Sequence, residues 1–155
     1  MKYYSKDGMF VNVSLSHLEA HKEVLPFLEE ALQKITTYKK SKIIKREVEF
    51  KNIIGVSTCV SINENDDIIF ARRIGRKYET KFVKNKKPIP CNKLTIVLKR
   101  LSEYSLILLT AYIGSIAEKE VLDPKLLPHE KEKAINFWDS HALIYDESII
   151  VKEEL

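Results

Sequence analysis

Cysteine is scarce in this 155-residue chain, and its two copies, Cys59 and Cys91, stand alone. With no CxxC spacing, neither a disulfide framework nor a zinc knuckle is indicated. Both thiols are expected in or beside strands, as small buried hydrophobes. No apolar run approaches the roughly 20 residues needed to cross a bilayer as a helix, so no membrane association is expected. The opening Met1-Lys-Tyr-Tyr-Ser-Lys-Asp-Gly8 has no apolar stretch of the secretory type, which makes a cytoplasmic location the expectation. Internal repeats, low-complexity tracts and long linkers are missing too. The chain is 45% hydrophobic and 31% charged, which suits one globular domain over residues 1–155 with a proper core.

What the chain does have is segregated charge. From Arg72 to Arg100, eleven Lys/Arg face the single acid Glu79, although the net charge of the whole chain is only +4. From Glu118 onward the sign reverses, with ten acids against five lysines. A basic middle of this density is the footprint expected of a surface that meets phosphates. The alternative is a solvated basic face with no partner. The acidic tail forms either the back of a basic groove or a flap that competes with its ligand.

Periodicity places the elements. Phe10-Val-Asn-Val13 alternates as a short strand. Ser14 or Ser16 caps a helix over about 17–37, with Glu19 three residues after Ser16, and Pro26 divides or kinks that helix. Lys39–Lys45 reads as a basic connector. Period-two segments then follow at 48–62, 68–74 and 78–83, with turn chemistry at Asn63–Asp67 and a bend at Gly75. Leu94–Leu101 and Tyr104–Ile113 form a hairpin around Ser102-Glu103. A late helix covers 129 to about 138, and Ala142–Tyr145 is a last short strand. The pattern is α+β: an N-terminal helix or helices, an antiparallel sheet of four or more strands, and a late helix.

The residues with chemical potential are few. His17 and His21 are one helical turn apart and so share a face. Two imidazoles so placed can share a zinc ion, but Glu19 stands one residue later than the zincin pattern requires and no third ligand is assigned. No metal is therefore expected, and packing of one imidazole with solvation of the other is the plainer account. Arg72 and Arg73, adjacent on a strand, point to opposite faces; the one sharing Phe70's face lies on the core side and the other is available to a phosphate. Arg76, Lys77, Lys81, Lys84, Lys86, Lys87 and Lys93 add diffuse charge suited to gripping a nucleic-acid backbone. Thr110 and Tyr112 share strand parity at the end of the most apolar strand, facing a cleft or simply packing. His141 ends the late helix, where it serves as a general acid or a C-cap.

The order of these parts resembles the barnase–EndoU–colicin–RelE superfamily of small ribonucleases, many of them toxins. The resemblance rests on the helix with His17 and His21, the antiparallel strands bearing Arg72 and Arg73, and the strand ending Leu109-Thr-Ala-Tyr112, with Ile113 where many members have proline. It implies metal-independent, cofactor-free cleavage of RNA, in which the 2′-OH attacks the adjacent phosphorus and leaves a 2′,3′-cyclic phosphate. His17 would then be base or acid, with His21 and His141 as substitutes. Arg72 would clamp the phosphate, and Thr110 and Tyr112 would orient the reacting groups. An inhibitor protein, often acidic, is the further partner implied. A non-catalytic nucleic-acid-binding module and an immunity- or antitoxin-like interaction protein are the competing classes.

Overall fold

A computed structural model describes residues 2–14, 22–37 and 41–152. Among the described residues the fold is α+β and mostly sheet, with two α-helices. Its residues group into two compact units, Met1–Ser57 with Pro90–Ile116, and Thr58–Ile89 with Ala117–Leu155. Each unit thus draws on two separate stretches of a chain whose sequence reads as one domain.

The first unit is built on a five-stranded sheet of order β1-β2-β10-β9-β3. Its strands are β1 (Lys2–Tyr4), β2 (Phe10–Asn12), β3 (Ile43–Glu49), β9 (Lys93–Ser102) and β10 (Ser105–Ile113). Alternation drives it: Leu94, Ile96 and Leu98 of β9 are fully buried with Leu106 and Leu108 of β10 and Ile44 of β3. The β9–β10 hairpin forms where its sequence places it, and β10 lies parallel to β2. Strand β3 starts at Ile43, inside the stretch that reads as a basic connector, because Lys45 and Glu47 occupy the face opposite Ile44 and Val48.

The first helix, α1 (Leu25–Leu32), seals the buried face with Leu28, Ala31 and Leu32. Pro26 does not divide it. It sits in the first turn, where its missing N–H leaves no bond unmade and its fixed φ suits the helix. Two strands precede this helix, and the expected helical residues 15–21 lie outside the described ones. A two-stranded ribbon joins β4 (Gly55–Ser57) and β8 (Ile89–Cys91). Gly114 ends β10 at φ +132°, and a Cβ there would stand 2.8 Å from the Ser57 Oγ.

In the second unit, β5 (Cys59–Ser61), β6 (Ile68–Arg72), β7 (Glu79–Val83) and β11 (His141–Ile144) form a four-stranded sheet of order β5-β11-β7-β6. β11 runs parallel to β7, so this sheet is mixed too. A 3₁₀ turn, Pro128–Glu130, leads into α2 (Lys131–Asp139), which buries Ala134 and Trp138 four residues apart. Val60, Val83 and Ala142 make a small core, with Ile62, Ile68 and Ile144 packed against it. Beyond β6 the backbone of residues 149–151 pairs with Arg72 and Ile74. No helix among the described residues is long and apolar enough to cross a membrane.

Candidate nucleic-acid interface

A register shift in β10 decides which way Thr110 and Tyr112 face. Leu108 pairs with Leu98 and Thr110 with Val97, so Leu109 is the extra residue of a β-bulge. Before it, Leu106 and Leu108 point into the core; after it, Ala111 and Ile113 do. Without the bulge, strict alternation would drive Thr110 and Tyr112 inward. With it, both lie half-buried on the opposite face.

Cross-strand partners share a face, so the register gives the neighbours. Tyr112 sits opposite Thr95, which sits opposite Glu47; Thr110 sits opposite Val97, which sits opposite Lys45. Ile107, Lys99 and Ile43 form the next row. Across β2 and β1 the same face carries Asn12, Phe10 and Tyr4, since Val11 and Tyr3 point into the core. The rings of Tyr4 and Phe10 meet edge to face, 5.8 Å apart. Tyr104 at the hairpin tip is 72% exposed, and its carbonyl accepts the Phe10 N–H.

The polar groups of this face are partly committed. Thr95 donates its hydroxyl to the Gly114 carbonyl at 2.7 Å. Glu47 accepts the Ile116 N–H at 3.1 Å and pairs with Lys93 at 3.7 Å, so Lys93 is spent largely within the unit. Lys45 and Lys99 have no ion pair among the described residues. α1 packs on the other side of the sheet. Lys45, Lys99, Tyr4 and Phe10 are the residues the sequence reading missed here. The alternation of Ile44, Arg46 and Val48 was the signal for Lys45, hidden by three Lys/Arg between residues 42 and 46.

The other basic residues expected to meet nucleic acid belong to the second unit, and half of them are committed there. Arg73 gives the clearest correction. Phe70, expected to mark the core side, is 56% exposed, and Arg72 on its face is exposed as well. Arg73, expected to be available to phosphate, instead donates from Nη2 to Glu120 Oε2 at 2.5 Å and from Nε to Thr80 Oγ1 at 3.2 Å. Tyr78 donates its hydroxyl to the same carboxylate oxygen at 3.2 Å. Burial first, then the negative charges of Glu120 and Asp123, hold the Tyr78 phenol above its ordinary range.

Lys81 donates to the Trp138 carbonyl at 2.6 Å, capping the C-terminal end of α2. Lys86 bonds the Ser61 carbonyl and pairs with Asp66, and Lys84 lies 5.1 Å from the Tyr145 ring centre. Arg72, Arg76, Lys77 and Lys87 are exposed, with no ion pair among the described residues. Three of them flank the turn at Gly75, whose φ of +84° suits glycine.

His141 is held as a helix cap. Its Nδ1 lies 2.9 Å from the Phe137 carbonyl, as a donor to it, and its ring stacks on Phe137 at 4.1 Å and 4°. His17 and His21 lie outside the described residues. Thr110 and Tyr112 are therefore brought together in the first unit, while Arg72 and His141 belong to the second. Among the described residues no group of three or more His, Cys, Asp or Glu is placed to hold a metal ion. No known family model, no curated protein and no solved structure matches this chain.

Proposed function

We propose that this protein binds single-stranded RNA on the face of the first unit's sheet opposite α1. One observation carries the reading: the bulge at Leu109 places Thr110 and Tyr112 on the same face as Tyr4, Phe10, Lys45 and Lys99. Aromatic side chains on a sheet give unpaired bases a stacking platform, worth about 1–3 kcal/mol per base. Lysines beside them grip phosphates, and each such contact contributes about 0.7 to the salt slope of single-strand binding.

The test is anisotropy of a labelled single-stranded RNA titrated at several salt concentrations. Phe10→Ala should weaken binding by the loss of one stacked base, and Lys45→Ala/Lys99→Ala should flatten the salt slope by about 1.4. Equal affinity for duplex RNA, or a slope untouched by the lysine changes, would overturn the proposal.

Metal-independent cleavage, as in the barnase–EndoU–colicin–RelE superfamily, is a second reading, favoured by the shared facing of Thr110 and Tyr112. In it the two hydroxyls orient a phosphate and its attacking 2′-OH, while His17 acts as base or acid, with His21 as its substitute. Incubating the protein with RNA in excess EDTA separates the two. Cyclic-phosphate ends that disappear with His17→Ala and Tyr112→Ala support cleavage; intact RNA leaves the protein a binder.

A further inference from the structure

The second unit contains a cavity of about 290 Å³, at the small end of the range for ligand pockets. Its walls are apolar: Phe70 from β6, Leu122 from the segment before α2, and Ile135 and Trp138 from α2. Phe70 and Leu122 are each 56% exposed and Ile135 44%. Apolar surface left open to solvent is ordinarily scattered, and here several large side chains converge on one hollow.

The polar groups around it have one dominant sign. Glu79, Glu120 and Asp139 line the cavity against Lys81 alone. The Lys81 ammonium is already donating to the Trp138 carbonyl at 2.6 Å and the Asp139 carbonyl at 3.5 Å. Glu120 is unevenly satisfied. Its Oε2 takes the donors of both Arg73 and Tyr78, whereas its Oε1 is buried with no hydrogen-bond partner among the described residues. A buried carboxylate oxygen without a donor is an unusual thing for a folded chain to keep.

We infer that this cavity binds a small amine with an aromatic or branched aliphatic body. The ammonium is drawn to the carboxylates of Glu79, Glu120 and Asp139, and the body lies between Phe70, Ile135 and Trp138. Ring faces favour a cation beside them, so walls and rim select the same ligand. A carboxylic acid of the same shape meets Glu79 and Asp139, beside a Glu120 already paired with Arg73 and a lysine that is already engaged. The volume suits a single-ring amine. This site is separate from the RNA reading and stands or falls without it.

The test uses phenethylamine and 3-phenylpropionate, which share a body and differ in the charge of the head. Trp138 is the chain's one tryptophan and lies in the cavity wall, so its emission reports occupancy directly. Phenethylamine should change that emission saturably, with 3-phenylpropionate about 10- to 100-fold weaker, the equivalent of one charge-assisted hydrogen bond. Glu120→Gln should cost phenethylamine a similar factor. Ile135→Arg, at an exposed position, should abolish binding while the circular dichroism spectrum stays unchanged, and it serves as the control if Glu120→Gln disturbs folding. No saturation by phenethylamine below about 10 mM, the weak end of specific affinity, overturns the inference. So does equal binding of the acid, or full affinity in either variant once its fold is verified.

Discussion

Replacing Glu120 with alanine tests the central polar contact of the second unit. The carboxylate accepts from Arg73 at 2.5 Å and from Tyr78 at 3.2 Å, with the Glu120 side chain 14% exposed and that of Arg73 23% exposed. Exposed ion pairs contribute about 0–1 kcal/mol, while removing one member of a buried pair costs about 3–5 kcal/mol. This pair lies between those limits, and Arg73 keeps its bond to Thr80. We expect Glu120→Ala to cost about 2 kcal/mol, which for a chain of this length lowers Tm by about 4–8 °C. A double-mutant cycle with Arg73→Met isolates the pair, and its coupling should be about 1–2 kcal/mol by denaturant unfolding. Additivity within about 0.5 kcal/mol would refute the argument, because it would mean the two charges do not depend on each other. A second readout comes from Cys59, whose thiol is pushed up to about 12 by burial and then by the charge of Glu120. Losing that charge should bring the thiol down only part of the way, since burial remains.

Three more expectations follow from single sites. In a pH 8 alkylation time course, Cys91 should react well before Cys59, because the thiolate is the reactive form and burial withholds it at Cys59. Leu98→Ala, at a fully buried position in β9, should cost about 2–5 kcal/mol, whereas Leu101→Ala at 54% exposure should stay within about 0.5 kcal/mol by urea titration. Asp7→Ala should cost about 1–2 kcal/mol, because Asp7 accepts from the Ser5 hydroxyl and from the N–H of fully buried Thr37. Burial pushes the Asp7 carboxyl up, but hydrogen bonds from Ser5 and Thr37 outweigh it and hold it below the ordinary value of 3.8. A depressed folded pKa stabilises above the unfolded value, so the gap between wild type and Asp7→Ala should close as pH falls below about 4.

Where local alternation was strong, the sequence located the strand to within a residue or two, as for β6, β7, β9 and β10. The late helix and the strand after it were equally legible, because Ala134 and Trp138 keep helical spacing and Ala142-Leu-Ile follows at once. Local pattern failed where a long-range partner decides the outcome. Leu108-Leu109 reads the same with or without a bulge, and only pairing to Leu98 and Val97 reveals the extra residue. The parity of Thr110 and Tyr112 was visible, but which face they occupy was not. Arg73 illustrates the same limit in charge, since its partner Glu120 lies 47 residues away and leaves no trace near it. Lys81 and Lys86 were counted as free cations although carbonyls at Trp138 and Ser61 take them up. A charge run read from sequence therefore overstates the cations left for a partner.

The chain passes between the two units at residues 57/58, 89/90 and 116/117, and this ordering has a consequence for synthesis. β3 leaves the ribosome early, but its neighbour β9 begins 44 residues after Glu49, at Lys93, with half of the second unit in between. At about 5–20 residues per second the exposed edge of β3 waits some seconds for that neighbour. The charges at Lys42, Lys45, Arg46 and Glu47 then act as gatekeepers on a strand that would otherwise recruit another nascent chain.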